Sequence, residues 1–165
     1  MISAVRRREA GLSLPLAAGL YRKTVSGPGF TGDRQMTHED IIKRYDNNRF
    51  AQTCGIHVER DPSGKGLIAK ATLLPGHLNG SGHVHGGFIY TMADTAGGSN
   101  ARLYANNVTT LDSDFHFLTN NATRELVGRA EMIREGGSVI VLRVKVIGDT
   151  GEVFAEGTFT YYVLD

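Results

Sequence analysis

From Gly86 to about Leu103 the chain runs without a proline, and Phe88, Ile89, Met92, Ala93 and Ala96 spread over much of the circumference a helix there would have. A helix apolar nearly all round has to be enclosed by the rest of its domain. The flanking segments can supply that enclosure. Ile56 to Arg60 and Gly66 to Leu73 are β-branched or alternating runs, and Asp61-Pro62-Ser63-Gly64 between them suits a hairpin turn. Beyond the helix, Val108 to Phe117, Arg124 to Glu135, Ser138 to Ile147 and Glu152 to Val163 read as strands, with Gly136-Gly137 and Asp149-Thr150-Gly151 as tight connections. Ile140, Leu142, Val144 and Val146 alternate against Val139, Val141, Arg143 and Lys145, while Val153, Ala155, Phe159, Tyr161 and Val163 line one side of the last strand. A strand pair, an enclosed helix and a four-stranded antiparallel run predict an α+β fold, an antiparallel sheet curled around a central helix.

At 165 residues and 41% apolar composition the chain suits one core. That core belongs to residues 36–165. Thr37 followed by Asp40 reads as an N-terminal cap, and Ile41, Ile42, Tyr45 and Phe50 recur at helical intervals behind it. Residues 1–35, with Arg6-Arg7-Arg8 and the Gly27-Pro28-Gly29 stretch, read as a flexible or non-native extension. Its basic cluster and short apolar run outline a signal peptide only roughly, because Tyr21, Arg22 and Lys23 follow where small residues should precede a cleavage site. Lys and Arg total 18 against 17 Asp and Glu, which argues against nucleic acid or an anionic membrane as partner. No apolar run approaches the roughly 20 residues needed to cross a bilayer. Cys54 is the single cysteine, so no intrachain disulfide is possible, and the expected location is the cytoplasm.

Inside the apolar helix stands one acid, Asp94, flanked by Ala93, Thr95, Ala96, Gly97 and Gly98. A buried lone carboxylate is costly unless it is hydrogen-bonded or used. It either does chemistry or is satisfied by solvent, Thr95 or Asn100. Gly97, Gly98 and Ser99 weaken a helix and imply close packing against another backbone or a ligand. Upstream, His85-Gly86-Gly87 opens the helix, where the first N–H groups lack internal partners and lie at the positive end of the dipole. Gly86 and Asp94 are eight residues apart, roughly 12 Å along one helix. They cannot serve one reacting carbon within a single chain. If both act, two chains must pair with their central helices antiparallel. Asn79 could hold a water or be a turn residue ahead of Gly80, and Thr110 could reach the same site from the next strand or simply favour the sheet. His77, His83 and His85 share a loop, yet no acid lies between Gly86 and Ala93 to complete a His-x-His metal site, so no metal is expected.

The run Asn79-Gly80-Ser81-Gly82-His83-Val84-His85-Gly86-Gly87, continued by Phe88-Ile89-Tyr90-Thr91-Met92-Ala93-Asp94-Thr95-Ala96, resembles the PaaI-type (phenylacetic acid degradation) branch of the hotdog-fold acyl-CoA thioesterases. The resemblance covers residues 36–165 and leaves the extension without a counterpart. It implies Asp94 as general base or nucleophile, Gly86 as oxyanion donor and Asn79 as the group orienting water. It also implies acyl-CoA contacts around His85, Gly87, Thr95 and Thr110, Thr110 standing where some relatives have serine. A homodimer or a tetramer of two such dimers would hold the acyl-CoA at the subunit interface, with CoA part of the substrate and no resident cofactor. Two departures stand out. Thr119-Asn120-Asn121 replaces a proline common in the family, and Gly97-Gly98 is unusually open, which points to an acyl pocket of different size.

So few groups suffice for a thioester because a thiol with a pKa of about 8.5 leaves readily as thiolate. Two other functions fit the same fold. A dehydratase or hydratase would pair Asp94 with a histidine, for which His85 is available, and an acyl-binding module would do no chemistry.

Overall fold

A computed structural model of the protein describes residues 35–164. Of the extension read over 1–35, all but Gln35 lies outside the described residues. Helix α1 (His38–Asp46) starts as expected: the Thr37 side chain accepts from the Asp40 N–H at 3.2 Å, and the Asp40 carboxylate accepts the Thr37 N–H at 2.9 Å. It does not carry on to Phe50. Asn48 caps a second helix, α2 (Arg49–Thr53), its Oδ1 accepting from the Phe50 and Ala51 N–H groups. Ile41 is therefore buried on α1 while Phe50 faces solvent, contrary to the single helical stripe drawn from spacing.

Strands β1 (His57–Arg60) and β2 (Leu67–Thr72) form the expected hairpin. Its turn is built by Asp61, whose side chain accepts the Ser63 N–H at 2.8 Å, and by left-handed Gly64 and Gly66. The central helix α3 spans Gly86–Ala101. After it come β3 (Val108–Phe117), β4 (Glu125–Glu135), β5 (Val139–Gly148) and β6 (Val153–Val163). All pair antiparallel in one six-stranded sheet ordered β1-β2-β4-β5-β6-β3.

Strand β3 thus does not open a meander with β4. It crosses to the far edge and pairs with β6. Gly157 permits the approach: a Cβ there would sit 2.2 Å from the Asp114 carbonyl oxygen and 2.7 Å from the Phe115 Cα. The sheet's inner face packs on α3, with Leu142, Val144, Val146, Phe159 and Tyr161 buried against Ile89, Met92, Ala93 and Ala96. The alternation read along β5 holds throughout. On β6 a bulge opposite Val146 and Ile147 turns Phe154 inward as well, a position that period-2 counting assigns to the outer face. Helix and sheet come close at Gly128 on β4, where a Cβ would stand 2.9 Å from both the Ala96 methyl and the Met92 carbonyl oxygen.

Near its C-terminal end α3 is tied to the β1–β2 hairpin through Asn100. This buried amide accepts the Leu67 N–H at 3.1 Å and donates to the Leu67 and Ala96 carbonyls at 2.7 and 2.8 Å. N100A leaves buried backbone groups without partners, and the expected cost is about 2–3 kcal/mol of unfolding free energy. Urea denaturation checks this; a loss under about 0.5 kcal/mol, typical of surface sites, would show that water replaces the amide. Among the described residues no helix is long and apolar enough to cross a membrane.

Candidate active site

Asp94 sits midway along α3, half-buried rather than sealed in, and faces the junction of β3 and β6. Thr110 on β3 donates its hydroxyl to Asp94 Oδ1 at 2.6 Å. Tyr161, directly opposite Thr110 on β6, directs its hydroxyl at the Asp94 carbonyl oxygen (3.3 Å) and at Oδ1 (3.5 Å). Burial, and after it the negative charge of Asp94, pushes the Tyr161 phenol above its ordinary range, so it stays protonated and acts as a donor. Thr110 thus holds Oδ1, the single Tyr161 hydrogen is shared between the Asp94 carbonyl oxygen and Oδ1, and among the described residues Oδ2 has no hydrogen-bond partner. The carboxylate is satisfied neither by Thr95, which is buried in the packed face of α3, nor by Asn100, which serves Leu67.

The open glycines beside Asp94 have a definite occupant. A Cβ on Gly97 would lie 2.2 Å from the Tyr161 hydroxyl, and one on Gly98 would lie 3.0 Å from the Tyr45 hydroxyl. The close partners are therefore two tyrosine side chains of the same chain, not another backbone. Arg102, which caps the C-terminal end of α3, donates to the Tyr45 hydroxyl and to the Gly98 and Val108 carbonyls.

At the other end of α3, His85 is the N-cap and its Nδ1 accepts the Gly87 N–H at 2.9 Å. The Phe88 and Ile89 N–H groups reach the His85 carbonyl. That leaves the Gly86 N–H with no acceptor among the described residues, at the positive end of the helix. His85 therefore acts as the helix cap and takes up the Gly87 N–H, not that of Gly86. The loop ahead is pinned by Asn120, which accepts the Val84 N–H at 3.1 Å and donates to the Val84 carbonyl at 2.8 Å. Thr119-Asn120-Asn121 showed in the sequence only as a departure; Asn120 holds the segment entering the start of α3. Asn79 is exposed, and its Oδ1 is spent on the Ser81 and His83 N–H groups of its own turn. Its amide nitrogen remains free of partners among the described residues.

The His77 carbonyl accepts the His85 N–H at 2.8 Å, while its side chain is engaged elsewhere. It stacks on Phe88 with ring centroids 4.1 Å apart and accepts the Leu74 N–H; burial holds its imidazole below the ordinary histidine range. Among the described residues no group of three or more His, Cys, Asp or Glu side chains is gathered as a metal site. One chain therefore unites Asp94, Thr110 and Tyr161, and separately shapes Gly86 through His85. The two halves stand on one helix roughly 12 Å apart, as the spacing required.

An antiparallel sheet wrapped on a central helix is the hotdog arrangement. A Bacillus halodurans protein solved with CoA superposes with a TM-score of 0.67 at 24% identity, over 78% of this chain and 89% of that one. The Escherichia coli PaaI protein from the phenylacetic acid degradation operon gives 0.67 at 19% identity, over 74% of this chain and 89% of its own. In sequence, residues 81–155 match the Thioesterase superfamily model. A Halobacterium salinarum protein named "putative esterase" is 36% identical over 126 residues, 72% of this chain and 83% of that relative. The chain belongs to the thioesterase superfamily.

Proposed function

We propose that this protein hydrolyses acyl-CoA thioesters to a free acid and CoA, in the cytoplasm, as a homodimer or a tetramer of dimers. The observation that carries the reading is the carboxylate of Asp94, held at Oδ1 by Thr110 with Tyr161 alongside, on the same helix as the Gly86 N–H; among the described residues neither Oδ2 nor that N–H has a partner. Because the two lie roughly 12 Å apart, the Gly86 that serves an Asp94 comes from a second copy. Strand β3 supports that pairing: it is the sheet's last strand, its outer edge is unpaired among the described residues, and Leu111 and Phe117 stand 61% and 55% exposed along it.

In the reaction, Asp94 Oδ2 takes a proton from water as the water oxygen bonds to the thioester carbon. The carbonyl electron pair moves onto oxygen and is held by the Gly86 N–H. Collapse breaks the C–S bond, the carboxyl returns the proton to the thiolate, and acid and CoA leave. Alternatively Oδ2 attacks the carbon itself, CoA departs, and water opens the resulting anhydride; both routes use the same open oxygen. The free amide nitrogen of Asn79 is suited to orient the water. His85 and Gly87 at the helix start, Thr110 beside the carboxylate and Thr95 in the packed face of α3 would flank the bound acyl-CoA.

Incubation with aryl- and medium-chain acyl-CoAs is expected to release free thiol, read with a thiol-reactive dye. Enoyl absorbance without thiol would mean dehydration, and neither signal would mean a binding module. Sedimentation should show an associated species, with activity per chain falling on dilution through its dissociation. A fully active monomer would overturn the shared site.

A further inference from the structure

Gly97 and Tyr161 together make a feature that the hydrolysis scheme has not used. Tyr161 is 1% exposed, and a buried phenol needs a partner for its hydroxyl. Among the described residues that partner is Asp94 alone, through its carbonyl oxygen and Oδ1. The ring reaches so far over the helix only because position 97 lacks a side chain. Thr110 comes to Oδ1 from the neighbouring strand, and the Thr110–Tyr161 register places the two hydroxyls side by side.

We propose that Tyr161 is a positioning residue of this site: its hydroxyl, shared between the Asp94 carbonyl oxygen and Oδ1, backs the Thr110 hydroxyl on Oδ1, and together they present Oδ2 to the water or the thioester carbon. The assignment rests on the catalytic reading of Asp94 given above. A carboxylate held by one donor can turn about its last torsion and exchange its oxygens, because that torsion is broad and nearly two-fold. A hydroxyl on a fixed ring that spans the Asp94 carbonyl oxygen and Oδ1 opposes that turn. Tyr161 touches neither water nor substrate; it acts through Asp94.

The test is Y161F, which keeps the buried ring and removes one oxygen, made in the natural and the D94N backgrounds. In the natural background kcat on an acyl-CoA is expected to fall about tenfold, the rate equivalent of one lost hydrogen bond, with KM changed less than about twofold. In D94N the added change should leave the residual rate alone, because no carboxylate remains whose free oxygen the hydroxyl could present. Crystal structures of the natural protein and Y161F supply a readout that needs no activity: the Asp94 carboxylate should be turned or divided between two orientations in Y161F, with the backbone unmoved. Full turnover by Y161F, an equal loss in both backgrounds, or a carboxylate that keeps its natural orientation overturns the proposal. Should the protein cleave no acyl-CoA at all, the hydrolase reading fails by itself, and the carboxylate orientation in the two crystal structures still decides the role of Tyr161.

Discussion

D94N is expected to reduce kcat for acyl-CoA hydrolysis by about 10²–10⁴-fold, the usual worth of a positioned base, while unfolding nearly as the natural protein does. The substitution is close to isosteric. The Asn oxygen can still accept the Thr110 hydroxyl at the place of Oδ1, and the amide nitrogen stands where Oδ2 did, in the open part of the site. What disappears is an oxygen able to take a proton from water or attack carbon. Steady-state kinetics beside a thermal melt separate the two effects. A variant with near-normal turnover would remove Asp94 from the chemistry, and one that melts far below the natural protein would mark it as structural.

The second large effect is expected at Gly86, where proline removes one N–H and little else. Gly86 is the first residue of α3, a position where proline fits a helix well. His85 before it has φ −65° and ψ 131°, the extended conformation that a residue preceding proline prefers. A Cβ at 86 would meet the Phe117 ring at 3.5 Å, an ordinary contact. G86P should therefore fold, yet lose the one first-turn N–H that has no acceptor among the described residues. The expected loss in kcat is about 10²–10³, corresponding to roughly 3–4 kcal/mol for one oxyanion donor. G86A, which retains the N–H, should lose far less. Equal losses in the two variants would trace the effect to crowding against Phe117 instead.

The elements that pack by a single rule were legible in the sequence. Strand β3 lies where it was expected, at Val108–Phe117, and α3 starts at Gly86 as expected. The β5 alternation is kept residue for residue, because each rests on one periodicity with one buried face. Asp94 was legible as an acid in an apolar helix. Its environment was not, since Tyr161 lies 67 positions away and carries no local mark distinguishing it from any inward strand tyrosine. The glycines at 97 and 98 announced a close neighbour without saying which, and the neighbours are Tyr161 and Tyr45. The passage of β3 to the far edge depends on Gly157 and a nonlocal pairing, which strand patterns do not encode. Asn48 divides α1 from α2 through its own side chain, a capping choice that helical spacing alone passes over.

The tyrosine that lies over Gly97 also limits how the molecule can be engineered for heat tolerance. Glycine within a helix costs up to about 1 kcal/mol against alanine, so a designer raising the melting temperature would turn first to the paired glycines of α3. At position 97 that route is closed, since the added methyl would collide with a ring wedged on its other side by Phe159 and the sheet. Gains in thermostability have to be sought elsewhere, and Gly97 kept as the clearance that the opposing aromatic requires.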